Sequence, residues 1–560
     1  MSKVDNKVTA NKSQLAHGLT PDISRNNASS DHDRQLGKGS PLIFSYRQFS
    51  QAKQVIRGIK AIDYFFAKEV SSSLIGDGEY DHKFDMLERD NLFHLCLALS
   101  TSFRDGHTCL PLTHVAGKLW GQSYVANSDE NSQASLNQSA VELEAIPAGV
   151  IDKPKAQGGF SFASLEFLQT LLTKLSIKAE HQQLIVLQQE QLYIRRYFIF
   201  EQNLAKSIRI RLGAHNPYPQ EQISNCLDSL FPADSALNID GNETLDIDWQ
   251  KIAVANAINK NFSVIAGGPG TGKTYTVTKL LAALLMLEQQ RCMKQVVNQQ
   301  TSIQQTVNQQ TDSEGKHKSK TLLKIALVAP TGKAAQRLSE SIVNAVSGFK
   351  GLVDESVLTN IPTTAETIHR LLGVIPNSPN FKHNKNNQLV FDIVLIDEVS
   401  MVDLPLMTRL INAVKPTTKL ILLGDADQLP SVAAGSILAD IAPRPHHGFS
   451  DNNLNYLAAV CKLNQDQLAD ALSFSVPSQG QHLDYLTFLM KSRRFDGQGG
   501  IGLLASAVIQ GNYKTSWHFL EQTQKNADNT SHELTLAQGS LNEWLLPLVN
   551  HYYRPIARAA

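Results

Sequence analysis

Residues 261–285, NFSVIAGGPGTGKTYTVTKLLAALL, constrain the fold more than any other stretch of this chain. A short apolar run stops at a glycine-rich loop, and a helical pattern starts directly behind it. Gly267, Gly272, Lys273 and Thr274 satisfy the spacing G-x-x-x-x-G-K-[ST]. Glycines at those positions let successive backbone N–H groups turn inward onto phosphate oxygens. The whole loop, Gly267, Gly268, Pro269, Gly270, Thr271, Gly272, Lys273 and Thr274, is therefore the candidate nucleotide cradle. Lys273 offers a charge to the β and γ phosphates of ATP, and Thr274 offers a hydroxyl to Mg²⁺. The dipole of the helix that follows favours the anion as well.

A strand that feeds such a loop belongs in a parallel α/β sheet. The rest of the pattern agrees. NFSVIAG, LKIALVAPTG, FDIVLIDE and KLILLGD are four apolar runs that alternate with amphipathic helical segments, and each ends in Gly, Thr or an acid. Runs without polar alternation suit strands buried on both faces. In such a sheet, function gathers at the carboxyl ends of the strands. Asp397 follows the third run, where a carboxylate can hold Mg²⁺ through its water shell. Its neighbour Glu398 can accept a proton from an attacking water. Two acids facing solvent are the plain alternative, weakened by the phosphate loop upstream. Gln428, in LILLGDADQLPSV, is a neutral amide beyond the fourth run that can hydrogen-bond a γ phosphate.

Composition limits the partners. The chain has 560 residues, 52 basic and 52 acidic, and 42% are hydrophobic. A neutral chain is not a whole-surface polyanion binder, so any nucleic acid must lie in a local groove. The five cysteines form no C-x-x-C pair, which argues against a zinc or iron–sulfur site and a disulfide framework. No secretory signal and no membrane-length apolar segment is present, so a soluble, cytoplasmic protein is expected. The domains read as a polar, disordered tail (1–40), a helical domain suited to partner docking (41–235), an ATPase domain (240–445) and a partial second motor domain (446–560). In the first helical stretch, Val55, Ile59, Ile62, Phe65 and Phe66 fall near one face. Residues 121–157 read as loop. Residues 295–320 repeat VNQQT and read as a disordered insertion.

The ordered set DWQKIAVANAI, GGPGTGKT, APTGKAAQRL, TAETIHRLLG, LIDEVSM and LLGDADQLPSV resembles the motifs of superfamily-one DNA helicases of the RecD group. GHTCLPL and KSRRFDGQGGIGLLA extend the likeness from about residue 50 to 515. The resemblance implies a RecA-like P-loop NTPase sheet followed by a second RecA-like domain. It implies that Gln250 recognises adenine, and that Thr331, Lys333 and His369 face single-stranded DNA. A solvated helix start for Lys333 and a helix cap for His369 remain open. Arg494, in LMKSRRF, aligns with an arginine that reaches the γ phosphate from the second motor domain.

The implied activity is that of an ATP-dependent 5′–3′ helicase subunit of exodeoxyribonuclease V, in recombinational repair of double-strand breaks. The implied partners are its beta and gamma subunits (RecB and RecC) and single-stranded and duplex-end DNA. No nuclease constellation is evident in the chain itself. After Gly511 the family's threonine-histidine-lysine-glutamine-glycine type motif and its final arginine motif are missing. A truncated product or fragment that binds ATP and DNA without unwinding is therefore the alternative expectation. A stand-alone helicase is a third.

Overall fold

The computed structural model describes residues 46–75, 83–122, 158–177, 182–213, 217–232, 247–304, 323–428, 431, 434–444, 446–465, 468, 482–490, 500–525 and 540–554. The expected polar tail, residues 123–157 of the expected loop, residues 305–320 of the Gln-rich segment and Arg494 lie outside them. Gln295–Gln304, expected to be a disordered insertion, continue the helix that follows the phosphate loop.

The centre is a parallel sheet of six strands: β1 (Phe262–Gly267), β2 (Ile325–Ala329), β3 (Glu366–Thr367), β4 (Ile393–Ile396), β5 (Lys419–Gly424) and β6 (Leu486–Leu489). Their order across the sheet is β6-β1-β5-β4-β2-β3. Leu422 lies opposite both Val264 and Ile396, so β5 separates the phosphate-loop strand from the acid-bearing strand. Every pairing is parallel, which brings all the strand ends out on one edge.

The apolar runs divide between two cores because successive side chains point to opposite faces. Ile265, Leu327, Leu395, Ile421 and Leu423 pack on one face with helices α2 (Gln220–Leu230), α3 (Trp249–Asn259), α4 (Lys273–Gln304), α5 (Gly332–Gly348) and α7 (Asp451–Cys461). Phe262, Val264, Val328, Val394, Ile396 and Leu422 pack on the other with α1 (Arg195–Leu212) and α6 (Leu404–Ala413). Each large apolar side chain so buried stabilises the fold by roughly 1.5–3 kcal/mol. Arg211, buried at the end of α1, donates from Nη2 to the Val414 and Lys415 carbonyls at 3.0 Å each. The guanidinium thus satisfies the carbonyl end of α6, where the helix dipole favours a cation.

Three boundaries differ from the sequence expectation. The first concerns 446–489, expected in a second motor domain. Strand β6 pairs instead with β1, with Leu486 opposite Val264 and Leu489 opposite Gly267. Buried polar groups fasten this segment: Asn256 Nδ2 donates to Thr487 Oγ1 at 3.0 Å and Tyr456 Oη donates to the Ala255 carbonyl at 3.0 Å. Four-residue strands carry no label for the sheet they join, so only the pairing could place this one.

The second concerns the N-terminal region, expected as a helical domain. It holds a three-stranded antiparallel sheet, Cys109–Pro111, Gln191–Ile194 and Ile185–Gln188, beside helices Ala61–Ile75 and Met86–Arg104. Its last two helices, α1 and α2, pack on the central parallel sheet.

The third concerns the first helical stretch. It is two helices, Phe49–Val55 and Ala61–Ile75, broken where Gly58 takes φ +83°. The break shifts the helical phase, so Tyr64, Ala67 and Val70 are buried while Ile62 and Phe65 are exposed. Among the described residues no helix is long and apolar enough to cross a membrane.

Candidate nucleotide site

The loop Gly268–Thr274 closes one side of a cleft of about 850 Å³ at the carboxyl edge of the sheet. Three short-range bonds hold its shape. Thr271 Oγ1 donates to the Gly268 carbonyl at 2.9 Å, and Lys273 Nζ donates to the Gly267 and Gly268 carbonyls at 2.6 and 3.3 Å. The Lys273 ammonium therefore sits at the mouth of the loop. The glycines are needed for space as well as for dihedrals. A Cβ on Gly267 would lie 2.7 Å from Thr271 Oγ1 and 3.0 Å from Leu489 Cβ, and Gly272 has φ +84°. Gly267→Ala is expected to lower the melting temperature and weaken nucleotide binding, with about 1–3 kcal/mol lost to overpacking. Thermal unfolding followed by titration with a fluorescent ATP analogue checks both. A variant as stable and as tight as the parent would refute the crowding argument.

Asp397 sits one residue past β4, its N–H donating to the Val328 carbonyl at 2.9 Å. Desolvation by the surrounding strands, with the Glu398 carboxylate next to it, pushes its carboxyl up to about 6. Glu398 N–H donates back to Asp397 Oδ1 at 2.9 Å, and Glu398 is held left-handed at φ 53°. A non-glycine residue there costs roughly 1–2 kcal/mol. Such strain collects where a side chain is aimed for function.

Gln428 reaches the same cleft from the turn after β5. Asp425, fully buried, builds that turn. Its Oδ1 accepts the Asp427 N–H at 3.1 Å and its Oδ2 accepts Gln428 Nε2 at 3.2 Å. Asp425 escaped the sequence reading, although GDADQ has the aspartate two residues before a further acid, the spacing of a side-chain-capped turn. Arg337, Ser341 and Asn344 of α5 also line the cleft and were missed. Their helical spacing put them on one polar face, but nothing local tells which polar face looks into a site.

The structure thus brings together Gly268–Thr274, Asp397, Glu398 and Gln428, and not every expected residue. Gln250 is buried behind the loop, where Nε2 donates to the Thr271 carbonyl at 3.1 Å, and it does not line the cleft. Thr331, Lys333 and His369 lie toward the other side of the sheet, after the adjacent strands β2 and β3. Thr331 Oγ1 caps α5 by accepting the Ala334 N–H at 3.2 Å, and Lys333 is exposed on its first turn. His369 is exposed and meets Phe381 edge-on at 5.7 Å, while the cap of its short helix is Thr367.

A glycine cradle with its lysine, two carboxylates and a glutamine, all on the ends of adjacent parallel strands, defines a P-loop nucleotide-binding domain of the RecA-like type. The AAA domain family matches residues 250–434, which span all of these groups. Within that class the chain is similar to RecD. It is 33% identical over 455 residues to the RecBCD enzyme subunit RecD of Haemophilus influenzae, across 80% of this chain and 60% of that one. It is 31% identical over 306 residues to RecD of Mycolicibacterium smegmatis, across 53% of this chain and 46% of that one. It is 36% identical over 179 residues to the ATP-dependent RecD2 DNA helicase of Deinococcus radiodurans, across 32% and 17%. The chain therefore spans about half of these RecD relatives. A solved Bacteroides Pif1 structure with ADP-AlF4 matches at 16% identity and TM-score 0.23, over 50% of this chain and 49% of that one, too slight a likeness to argue from.

Proposed function

We propose that this chain hydrolyses ATP and couples the energy to DNA unwinding, as the helicase subunit of a RecBCD-type complex in recombinational repair of double-strand breaks. The observation that carries this reading is the meeting of Lys273, Asp397, Glu398 and Gln428 around one cleft. The proposed RecB-like and RecC-like partners are supported by the likeness to a RecBCD enzyme subunit, and the proposed 5′ to 3′ polarity by the motif resemblance.

The chain's own groups divide the work. Loop N–H donors and the Lys273 ammonium hold the β and γ phosphates. Glu398 takes the proton of the attacking water. The Gln428 amide contacts the γ phosphate and senses its loss. Gln250 props the phosphate loop from behind through the Thr271 carbonyl. Arg494, outside the described residues, keeps the charge-supplying role toward the γ phosphate that the motif resemblance implies.

Mg²⁺ fits the donor set. Among the described residues no three His, Cys, Asp or Glu form a metal site by themselves. Burial and Glu398 both disfavour a charged Asp397, and a divalent cation bound there would relieve both. Asp397 and Thr274 would hold it, and when bound it would neutralise charge on the phosphates.

Thr331, Lys333 and His369 form the DNA track, on the same edge of the sheet as the ATP cleft. Phosphate contacts of this kind carry no sequence preference and weaken with salt. The test is ATP turnover of the purified chain, alone and with its RecB-like and RecC-like subunits, with and without single-stranded DNA. Turnover stimulated by DNA supports the reading, and turnover indifferent to DNA in both settings overturns it. Lys333→Ala should also reduce the slope of log affinity against log salt by about 0.7, the loss of one phosphate contact. An unchanged slope would remove Lys333 from the track.

A further inference from the structure

The turn that presents Gln428 is gripped from outside as well as from within. Asp425 fixes its interior, but the Asp427 carboxylate points away and meets Arg444, with Arg444 Nη1 at 2.8 Å from Asp427 Oδ2. The same guanidinium lies over the ring of Phe488, 4.9 Å from its centroid. Phe488 is on β6, opposite Ala266, and the next residue, Leu489, packs where a Cβ on Gly267 would fall. His446, two residues on, holds the same strand through its Nε2 and the Leu486 carbonyl at 3.1 Å, and its ring meets Phe488 edge-on at 6.0 Å.

Arg444 therefore bridges two structures that must keep register for hydrolysis. One is the turn bearing the amide that contacts the γ phosphate. The other is the strand that abuts the first glycine of the phosphate loop. A planar guanidinium suits both tasks, since it can pair a carboxylate along its edge and stack on an aromatic through its face. We propose that Arg444 is a positioning residue for Gln428, acting through Asp427 and anchored on Phe488. The proposal rests on the ATPase reading of the cleft.

The energetics separate positioning from structure. The Arg444 side chain is 44% exposed and that of Asp427 21% exposed. Half-exposed ion pairs and cation–π contacts add little to global stability. Displacing a catalytic amide by about 1 Å can nonetheless cost up to about 10²-fold in rate. Arg444→Ala in the full chain is expected to lower ATP kcat about tenfold, with KM and the affinity for a fluorescent ATP analogue within about twofold of the parent. The melting temperature should stay unchanged. Arg444→Lys keeps the charge and should recover part of the rate. Asp427→Asn should match Arg444→Ala, and the double variant should be no worse than either alone, because both remove one bridge.

A parental kcat in Arg444→Ala, or losses that multiply in the double variant, would overturn the proposal. A second readout does not need turnover. Hydrogen exchange at the Asp427 and Gln428 amides, measured without nucleotide, should be faster in Arg444→Ala, and unchanged exchange overturns the bridge by itself. A parent chain that neither binds nor hydrolyses ATP would sink the ATPase reading, while faster exchange would still show the bridge.

Discussion

Glu398→Gln leaves ATP and Mg²⁺ binding nearly intact and cuts turnover by about 10²–10⁴-fold, the usual worth of a positioned general base. The amide is isosteric with the carboxylate but cannot take the proton of the attacking water. The backbone does not depend on the charge: the Glu398 N–H still reaches Asp397 Oδ1, and the Asp397 N–H still reaches the Val328 carbonyl. The left-handed conformation at Glu398 suits glutamine as well as glutamate, so folding should be unaffected. Asp397→Asn differs in kind. It removes the group that a divalent cation would neutralise, so the loss appears in Mg²⁺-dependent binding. The measurement is single-turnover hydrolysis beside analogue titration at varied Mg²⁺. If Glu398→Gln turned over ATP like the parent, the base would lie elsewhere.

Lys273→Ala is expected to weaken ATP binding by about 10- to 100-fold and to remove measurable turnover, since a hydrogen bond to a charged group contributes roughly 1.5–3 kcal/mol. The loop itself should survive the change. Thr271 Oγ1 still closes onto the Gly268 carbonyl, and Gln250 Nε2 still supports the Thr271 carbonyl. Thermal unfolding should therefore move little while affinity falls. Affinity and turnover both equal to the parent's would remove Lys273 from the site.

Much of this protein was legible in its sequence because the signals are local. A phosphate loop needs its glycines, lysine and threonine within a few residues, and the strand before it needs an apolar run buried on both faces. Asp397, Glu398 and Gln428 could be found for the same reason: each follows an apolar run, and in a parallel sheet such positions share an edge. The four runs became β1, β2, β4 and β5, adjacent to one another as that argument required.

What the sequence could not supply was set by contacts far apart along the chain. The run LTFL says strand, but only the pairing of Leu486 with Val264 and the buried bond from Asn256 to Thr487 place it on the central parallel sheet. Helices α1 and α2 read as part of an N-terminal domain until their apolar faces meet the sheet's two cores. Gln250 looked like a base-reading group, and its position behind the loop emerged only from the approach to Thr271. Arg444 carried no motif at all. Its place was decided by an aspartate 17 positions before it and a phenylalanine 44 positions after it, which only the packed sheet brings to one guanidinium. Local sequence determined which groups could bind and cleave a nucleotide, because dihedral freedom, charge and burial are written residue by residue. Tertiary structure decided which strands those groups stand on and what holds them still, because strand pairing and side-chain packing depend on partners that the neighbouring residues do not name.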